Sequence, residues 1–195
     1  MGDVERLAQA ISRIDAANAE DPRADTVDGV TGPRELLFAQ RVHQWVTKLV
    51  ADPSEALLLA ARAHTLRRWM MPRNRHPMTN LGYHEWRDAC ATFHAQEAER
   101  ILRDVGYPQA AIDRVTALIT KQNWESDPEG RTLEDADCLA FLESKLHHYL
   151  DEWDEEKAIG ILRRTLRKMT PQARTVAATL KLDPRCLELL RRAGA

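Results

Sequence analysis

Residues 52–70 read Asp-Pro-Ser-Glu-Ala-Leu-Leu-Leu-Ala-Ala-Arg-Ala-His-Thr-Leu-Arg-Arg-Trp-Met, and this stretch decides the fold class. Its first residues favour a helix N-terminus: Asp52 suits the cap, Pro53 the first turn, and Glu55 the positive end of the helix dipole. From Ala56 to Met70 the segment is apolar around most of a helical circumference. Such a helix is predicted to run through the middle of the protein.

The rest of the chain carries the same helical signal. Apolar residues recur at helical spacing in most segments, whereas alternating strand patterns are nearly absent. Helices are predicted over residues 3–20, 35–50, 56–70, 82–105, 108–121, 132–150, 154–169, 172–181 and 184–192, with loops over 21–32, 72–81 and 123–130. The expected fold class is all-α. We expect one helical domain (33–170), with an N-terminal helix and loop (1–32) before it and C-terminal helices packed on it (171–195).

Composition narrows the function classes. The chain has 195 residues, of which 44% are hydrophobic, as is usual for a globular protein of one domain. Lys and Arg total 28 against 30 Asp and Glu, so bulk attraction to nucleic acid is not indicated. The three cysteines are far apart, which argues against a disulfide framework or a cysteine zinc site. No signal-peptide or membrane-span pattern is present, so we expect a cytoplasmic protein without membrane contact.

Three residues on different predicted helices are candidates for one site. His64 lies on the apolar central helix, His94 on the next long helix, and Asp137 where a later helix turns apolar. Imidazole and carboxylate groups bind zinc, iron, manganese or magnesium, so converging helices would form a metal or phosphate site. Glu134 and Asp135 are candidate catalytic groups, as an extra ligand or a base. The structural alternatives are core histidines bonded to carbonyls and acids at a helix N-terminus.

Basic side chains surround the loop after the central helix. The candidates for binding an anionic substrate are Arg67, Arg68, Arg73, Arg87 and Lys121. Arginine forks match phosphate and carboxylate groups with two hydrogen bonds each. Cations at a solvated helix end are the structural alternative. Trp69 lies among these arginines and could stack on a base, which leaves an RNA-associated role open.

Over about residues 33–170 the chain resembles a family of domains of unknown function, DUF4202. The resemblance rests on residues 35–41, 60–69, 72–73, 82–83, 86–87, 93–95, 126–128, 132–135 and 154–157. It implies no settled activity.

More distantly, residues 35–143 resemble a degenerate domain of the His-Asp (HD) superfamily. The matching strings are Phe38-Ala39-Gln40-Arg41-Val42, Ala60-Ala61-Arg62-Ala63-His64-Thr65, His94-Ala95-Gln96-Glu97-Ala98 and Asp135-Ala136-Asp137-Cys138-Leu139. This resemblance implies a divalent metal bound by His64, His94 and Asp137, with hydrolysis of phosphate esters as the usual activity. Some members of the superfamily are di-iron oxygenases.

We therefore expect an HD-like helical protein whose metal site acts, as a hydrolase, on a phosphorylated or anionic small molecule. The suspected cofactor is divalent iron, manganese or zinc. Phe38 replaces the first histidine ligand of the superfamily and Thr65 its bridging aspartate. These departures favour an alternative, a metal-free domain that binds an anionic ligand. A di-iron oxygenase with His43 and His84 as spare ligands, an RNA-associated accessory protein and a homodimer also remain open.

Overall fold

A computed structural model describes residues 2–149 and 154–194, and it confirms the all-α class. The helices are α1 (Asp3–Asn18), α2 (Arg34–Leu49), α3 (Glu55–Ala63), α4 (Asn80–Val105), α5 (Gln109–Ile119), α6 (Pro128–Ser144), α7 (Leu146–Tyr149), α8 (Glu155–Lys168), α9 (Pro171–Ala177) and α10 (Pro184–Ala193), with short 3-10 helices at Arg68–Met70 and Arg73–Arg75. Strands β1 (Ala24–Val27) and β2 (Val30–Pro33) form one hairpin between α1 and α2.

Helix α3 is central, as its composition predicts. It packs against α1, α2, α5 and α6, and Leu57, Ala60 and Ala61 are fully buried. The cap is Ser54 rather than Asp52, because the Ser54 hydroxyl accepts a hydrogen bond from the Leu57 amide at 3.1 Å. Because α3 is apolar on most of its surface, it can be buried against several helices at once.

The predicted extension of this helix to Met70 is wrong. Helix α3 ends at Ala63 with His64 as its C-cap, and Arg67 adopts the left-handed conformation (φ 56°). The Arg67 amide donates to the side-chain oxygen of Asn18 at 3.1 Å, which holds the turn. The early end of α3 places the His64 side chain at a helix terminus, where it faces α6 instead of lying in mid-helix.

The predicted loop over residues 21–32 contains the β1–β2 hairpin. Val27 and Val30 are paired across a two-residue turn, in which Asp28 and Gly29 both have positive φ (52° and 78°). An Asp-Gly pair with this backbone forms a type I′ turn, whose twist suits an antiparallel hairpin. An ion pair between Asp28 and Arg41 ties the hairpin to α2.

Helix α6 begins earlier than predicted. Its cap is Asp127, whose carboxylate accepts from the Glu129 amide at 3.0 Å, and Pro128 is its first residue. The predicted start at Thr132 is therefore wrong. Glu134, Asp135 and Asp137 lie beyond the first turn of the helix. The helix ends at Ser144; its predicted last residue, Leu150, lies outside the described residues.

The N-terminal helix belongs to the core. Ala10 and Ile14 have no solvent exposure, and Arg62 on α3 binds the Asp15 carboxylate through two hydrogen bonds of 2.5 and 2.6 Å. At the other end, α10 packs on α8. Within residues 2–149 and 154–194, no helix is both long and apolar enough to cross a membrane. The predicted division at residues 32 and 170 remains a prediction.

Candidate functional site

His64 and Asp137, 73 residues apart, meet between α3 and α6. The His64 Nε2 atom lies 3.2 Å from Asp137 Oδ1, and its Nδ1 atom lies 3.1 Å from the Ala61 carbonyl oxygen. Both neighbours are hydrogen-bond acceptors, so the ring fits this place either with both nitrogens protonated or with a cation between Nε2 and the carboxylate. The Asp137 side chain is 28% exposed, so solvent reaches the pair.

The surroundings of Asp137 favour its ionised form. Burial alone would raise the pKa of this carboxyl, but His64, Lys121 and Arg87 together hold it below its usual value. Lys121 Nζ lies 3.8 Å from the second carboxylate oxygen. Asp137 therefore provides a fixed negative charge at the edge of a cationic region.

His94 is the second predicted histidine, on α4, and only 1% of its surface is exposed. Its Nδ1 donates to the Leu66 carbonyl oxygen at 2.6 Å, while its buried Nε2 has no partner in the described part of the chain. Burial lowers the pKa of His94 to about 3, and Arg68 and His64 add to this effect. The ring is therefore neutral, with a bare lone pair on Nε2.

Glu134 and Asp135, the predicted catalytic acids, bind neighbouring elements. Glu134 forms ion pairs with Lys121 and, at 3.0 Å, with Lys168 on α8. Asp135 accepts hydrogen bonds from the Thr170 amide at 2.8 Å and from its hydroxyl at 2.6 Å. These contacts tie the C-terminal helices to α6, and of the three predicted acids the structure brings only Asp137 to His64.

Two of the predicted substrate-binding arginines hold the loop after α3. Arg67 pairs with Glu20 at 3.0 Å and with Glu97 at 3.5 Å. Arg73 donates to the backbone carbonyls of His76 and Pro77 at 2.9 and 2.7 Å. Their guanidinium groups therefore already have acceptors within the protein.

Arg68 and Arg87 are different. Within residues 2–149 and 154–194, neither guanidinium has a carboxylate oxygen within 4.0 Å. Arg68 stacks over the Trp86 ring, with its Cζ 4.7 Å from a ring centroid. Burial lowers the pKa of Arg87, but Tyr83 and Asp137 more than offset it, so that the pKa is raised overall. Among the described residues, both guanidinium groups therefore lack an ion-pair partner within 4.0 Å, although Asp137 still stabilises the charge of Arg87.

Lys145 completes this region, and sequence reasoning missed it. Its Nζ atom lies 3.5 Å from the centroid of the Phe38 ring and 3.5 Å from Glu35 Oε2. The Phe38 ring in turn lies 5.8 Å from that of His64. A lysine that follows an apolar run was the available signal, because burying its charge requires a partner.

The histidines proposed as spare ligands lie elsewhere. His43 Nδ1 is 3.3 Å from the Leu58 carbonyl oxygen, and the exposed His84 packs its ring near Tyr83. Among the residues that the structure describes, no three His, Cys, Asp or Glu side chains are grouped so that they could hold a metal ion.

A family model for a domain of unknown function (DUF4202) matches residues 8–190. No curated protein and no solved structure matches the chain.

Proposed function

Because this chain belongs to the DUF4202 family, whose description names no activity, we propose a function from its own side chains. The protein binds a phosphorylated or otherwise anionic small molecule next to the His64–Asp137 pair and acts on it as a hydrolase. The observation that carries this proposal is the pair of arginines, Arg68 and Arg87, that lack a carboxylate partner in the described residues.

The two arginines serve one region. Arg68 stacks over the Trp86 ring, and Arg87 follows Trp86 directly on α4. A half-buried guanidinium group with no carboxylate within 4.0 Å keeps N–H donors available for an anion. A phosphate or carboxylate group of a ligand would accept hydrogen bonds from both forks. The site therefore favours an anion that reaches between α4 and the turn after α3.

The His64–Asp137 pair supplies acid–base groups for such a ligand. With both ring nitrogens protonated, His64 can turn its Nε2–H from Asp137 to a leaving oxygen and donate that proton, while the Nδ1–H stays bonded to the Ala61 carbonyl oxygen and holds the ring. The exposed part of Asp137 leaves the pair open to solvent, from which the attacking water would come. This chemistry supports hydrolysis of an ester or anhydride of the bound anion.

Inorganic phosphate is the direct probe of the anion site. We expect phosphate to raise the unfolding temperature of the wild-type protein, by linkage, relative to chloride at equal ionic strength. Arg68→Gln and Arg87→Gln should each remove most of this rise. Arg103→Gln is the matched control, since Arg103 is an exposed arginine of α4 already paired with Glu99 at 2.5 Å.

The binding proposal would be contradicted if phosphate stabilised the two variants as strongly as the wild type. It would also be contradicted if neither phosphate nor phosphate monoesters stabilised the wild-type protein. Release of phosphate from monoesters by wild type but not by Asp137→Asn, with binding retained, would support the hydrolytic role.

A metal site is the second candidate, and one geometric observation favours it. Both histidines direct Nδ1 at a backbone carbonyl, at 3.1 Å for His64 and 2.6 Å for His94, as metal-binding histidines commonly do. The Nε2 of His94 has no partner among the described residues, and that of His64 faces Asp137. The 3.2 Å between His64 Nε2 and Asp137 Oδ1 fits two ligands that share one ion, which lie roughly 3.0–3.4 Å apart. Kinship with the HD superfamily, which would imply such a metal, remains a prediction.

Elemental analysis of protein purified without chelator tests this candidate. Near-stoichiometric iron, manganese or zinc that is lost in His94→Ala and Asp137→Ala would support it, since such an ion activates water for hydrolysis. His84→Ala, an exposed histidine of the same helix, should keep the metal. Absence of metal after incubation with each ion would leave the metal-free site as the only candidate of the two.

A further inference from the structure

The last part of the chain carries a positive charge that the near-neutral total conceals. Residues 157–195 contain ten Lys and Arg but only two Asp and Glu, whereas residues 1–156 contain 18 and 28. The basic part comprises most of α8 and all of α9 and α10. A charge asymmetry of this size within one chain indicates an anionic partner for its basic part.

Three arginines on one side of α8 form the centre of this basic part. Arg163, Arg164 and Arg167, here called the α8 arginines, are all exposed and lie on the side of the helix away from its buried residues. Arg163 Nη2 lies 3.5 Å from the backbone oxygen of Arg192 on α10, which packs against α8. The basic surface therefore continues from α8 onto the neighbouring helix.

Contacts within the protein do not explain the α8 arginines. Within residues 2–149 and 154–194, none of them has a carboxylate oxygen within 4.0 Å. No Asp or Glu lies three or four residues from any of them, whereas Arg163 and Arg164 both have Arg167 at that spacing. Like charges at this spacing destabilise a helix. The helix dipole favours cations in the last turn, which contains Arg167 but not the other two.

We propose that the exposed sides of α8 and α10 bind the phosphate backbone of a nucleic acid, with the α8 arginines as the main contacts. Each guanidinium can donate two hydrogen bonds to a phosphate, and bound phosphates would offset the repulsion among the three arginines. A membrane surface fits less well, because helices that lie on membranes carry large apolar side chains beside the basic ones. In the described part of α8, no exposed residue is apolar. This surface lies on other helices than the anion site at Arg68 and Arg87.

Fluorescence anisotropy tests the proposal with the full-length protein and a labelled single-stranded RNA of about 20 nucleotides, which exceeds the site size of most single-strand binding domains. Three phosphate contacts predict a slope of about −2 for the logarithm of the association constant against that of the salt concentration, so a fourfold rise in salt should weaken binding roughly 20-fold. The combined variant Arg163→Gln/Arg164→Gln/Arg167→Gln should bind at least about tenfold more weakly at low salt and lose most of the salt dependence.

The matched control removes the same amount of charge elsewhere. Arg13→Gln/Arg100→Gln/Arg103→Gln changes three exposed arginines of α1 and α4, of which Arg100 and Arg103 pair with Glu97 and Glu99 at 2.6 and 2.5 Å. This variant should bind RNA as the wild type does. Equal weakening by both triple variants would mean that net charge alone drives binding, and would overturn the assignment to α8. No binding of RNA at low salt would overturn it too, as would displacement of the RNA by an equal charge concentration of poly-glutamate, which would indicate an acidic protein segment as the partner.

A measurement on the wild-type protein keeps the proposal testable if the variant does not fold. Phenylglyoxal modifies exposed arginines, and peptide mass mapping gives the extent at each position with and without RNA. RNA should protect the α8 arginines and leave Arg100 and Arg103 unprotected. Protection of Arg68 and Arg87 instead would overturn the proposal, because it would place the RNA at the other site. Stabilisation by inorganic phosphate should be unchanged in the α8 triple variant, so the two sites can fail separately.

Discussion

Asp127 combines two stabilising contacts in one side chain. It caps α6 through the Glu129 amide, and it binds the Arg114 guanidinium through hydrogen bonds of 2.5 and 2.9 Å. The hydrogen bonds from Arg114 hold the pKa of Asp127 below its ordinary value of 3.8. The stability that this ionisation contributes is therefore complete above pH 3.8 and is lost as the pH falls through the lower, folded-state pKa.

Asp127→Asn keeps a cap acceptor but removes the charge. We expect it to lower the free energy of unfolding by about 0.5 kcal/mol at neutral pH, because Arg114 is partly exposed and retains Glu129. Asp127→Ala should lower it by about 1 kcal/mol more through loss of the cap. Denaturant titrations at several pH values measure both. The difference between wild type and Asp127→Asn should vanish in strong acid, while Asp113→Asn, an exposed acid of α5, should show little difference at any pH. A difference for Asp127→Asn that persists in acid would contradict the assigned role of the charge.

Single residues also show what the sequence could predict of the site. His64 and Asp137 were identified by their chemistry and by their positions on separate helices, and the structure brings them together. Glu134 and Asp135 were grouped with them because they are neighbours in sequence. Their partners, Lys168 and Thr170, lie more than 30 residues further along, and no local pattern indicates those contacts. The sequence shows that Glu134 and Asp135 carry negative charge. It does not show which residues bind them, because those contacts depend on how the C-terminal helices pack on α6.

Some boundaries of helices and strands are set by neighbouring residues, and others by contacts with residues distant in sequence. The Asp28-Gly29 turn is a local hairpin signal, and the prediction of a loop there overlooked it. The end of α3 is different, because no glycine or proline follows Ala63 before Pro72 and the sequence gives no local stop signal. Asn18, 49 residues earlier in the chain, accepts from the Arg67 amide and stabilises the left-handed turn. That contact exists only once α1 has packed on α3.

These boundaries determine the chemistry of the site. A helix continued to Met70 would place Arg68 on the helical surface four residues after His64. The actual turn and 3-10 helix put Arg68 over Trp86 of α4. The arginine that carries the proposed anion site is therefore positioned by the interruption of α3, which in turn depends on α1.

Both ends of the described chain contribute buried residues to the core. Ile14 is fully buried, while the C-terminal helix α10 buries Cys186 at the other end of the chain. The three cysteines are free and buried on α4, α6 and α10. Burial raises the pKa of the Cys186 thiol to about 11 and also raises the pKa of the thiols of Cys90 and Cys138. Each thiol should therefore react with an alkylating reagent only when its surroundings open.

Alkylation rates of the three thiols then test whether the chain unfolds as one unit. Ile14→Ala should lower the free energy of unfolding by about 2–4 kcal/mol, because it leaves a cavity at a fully buried position. If opening is global, a loss of about 2.7 kcal/mol accelerates alkylation of all three cysteines roughly 100-fold, since the rate follows the population of the open state. Mass mapping after short exposures to iodoacetamide gives each rate separately, and Val4→Ala, at an 83% exposed position of α1, is the control with unchanged rates.

Acceleration confined to Cys90, whose helix α4 contacts α1, would contradict global opening. It would mean that α1 and its neighbours open as a separate unit, as the division of the chain at residue 32 suggests. Equal acceleration at Cys186 would show that the N-terminal helix and α10, which lie at opposite ends of the sequence, stabilise one cooperative core. Arg68 of the proposed site would then depend on α1 for its position as well as for its stability, because Asn18 accepts a hydrogen bond from the turn that carries Arg68.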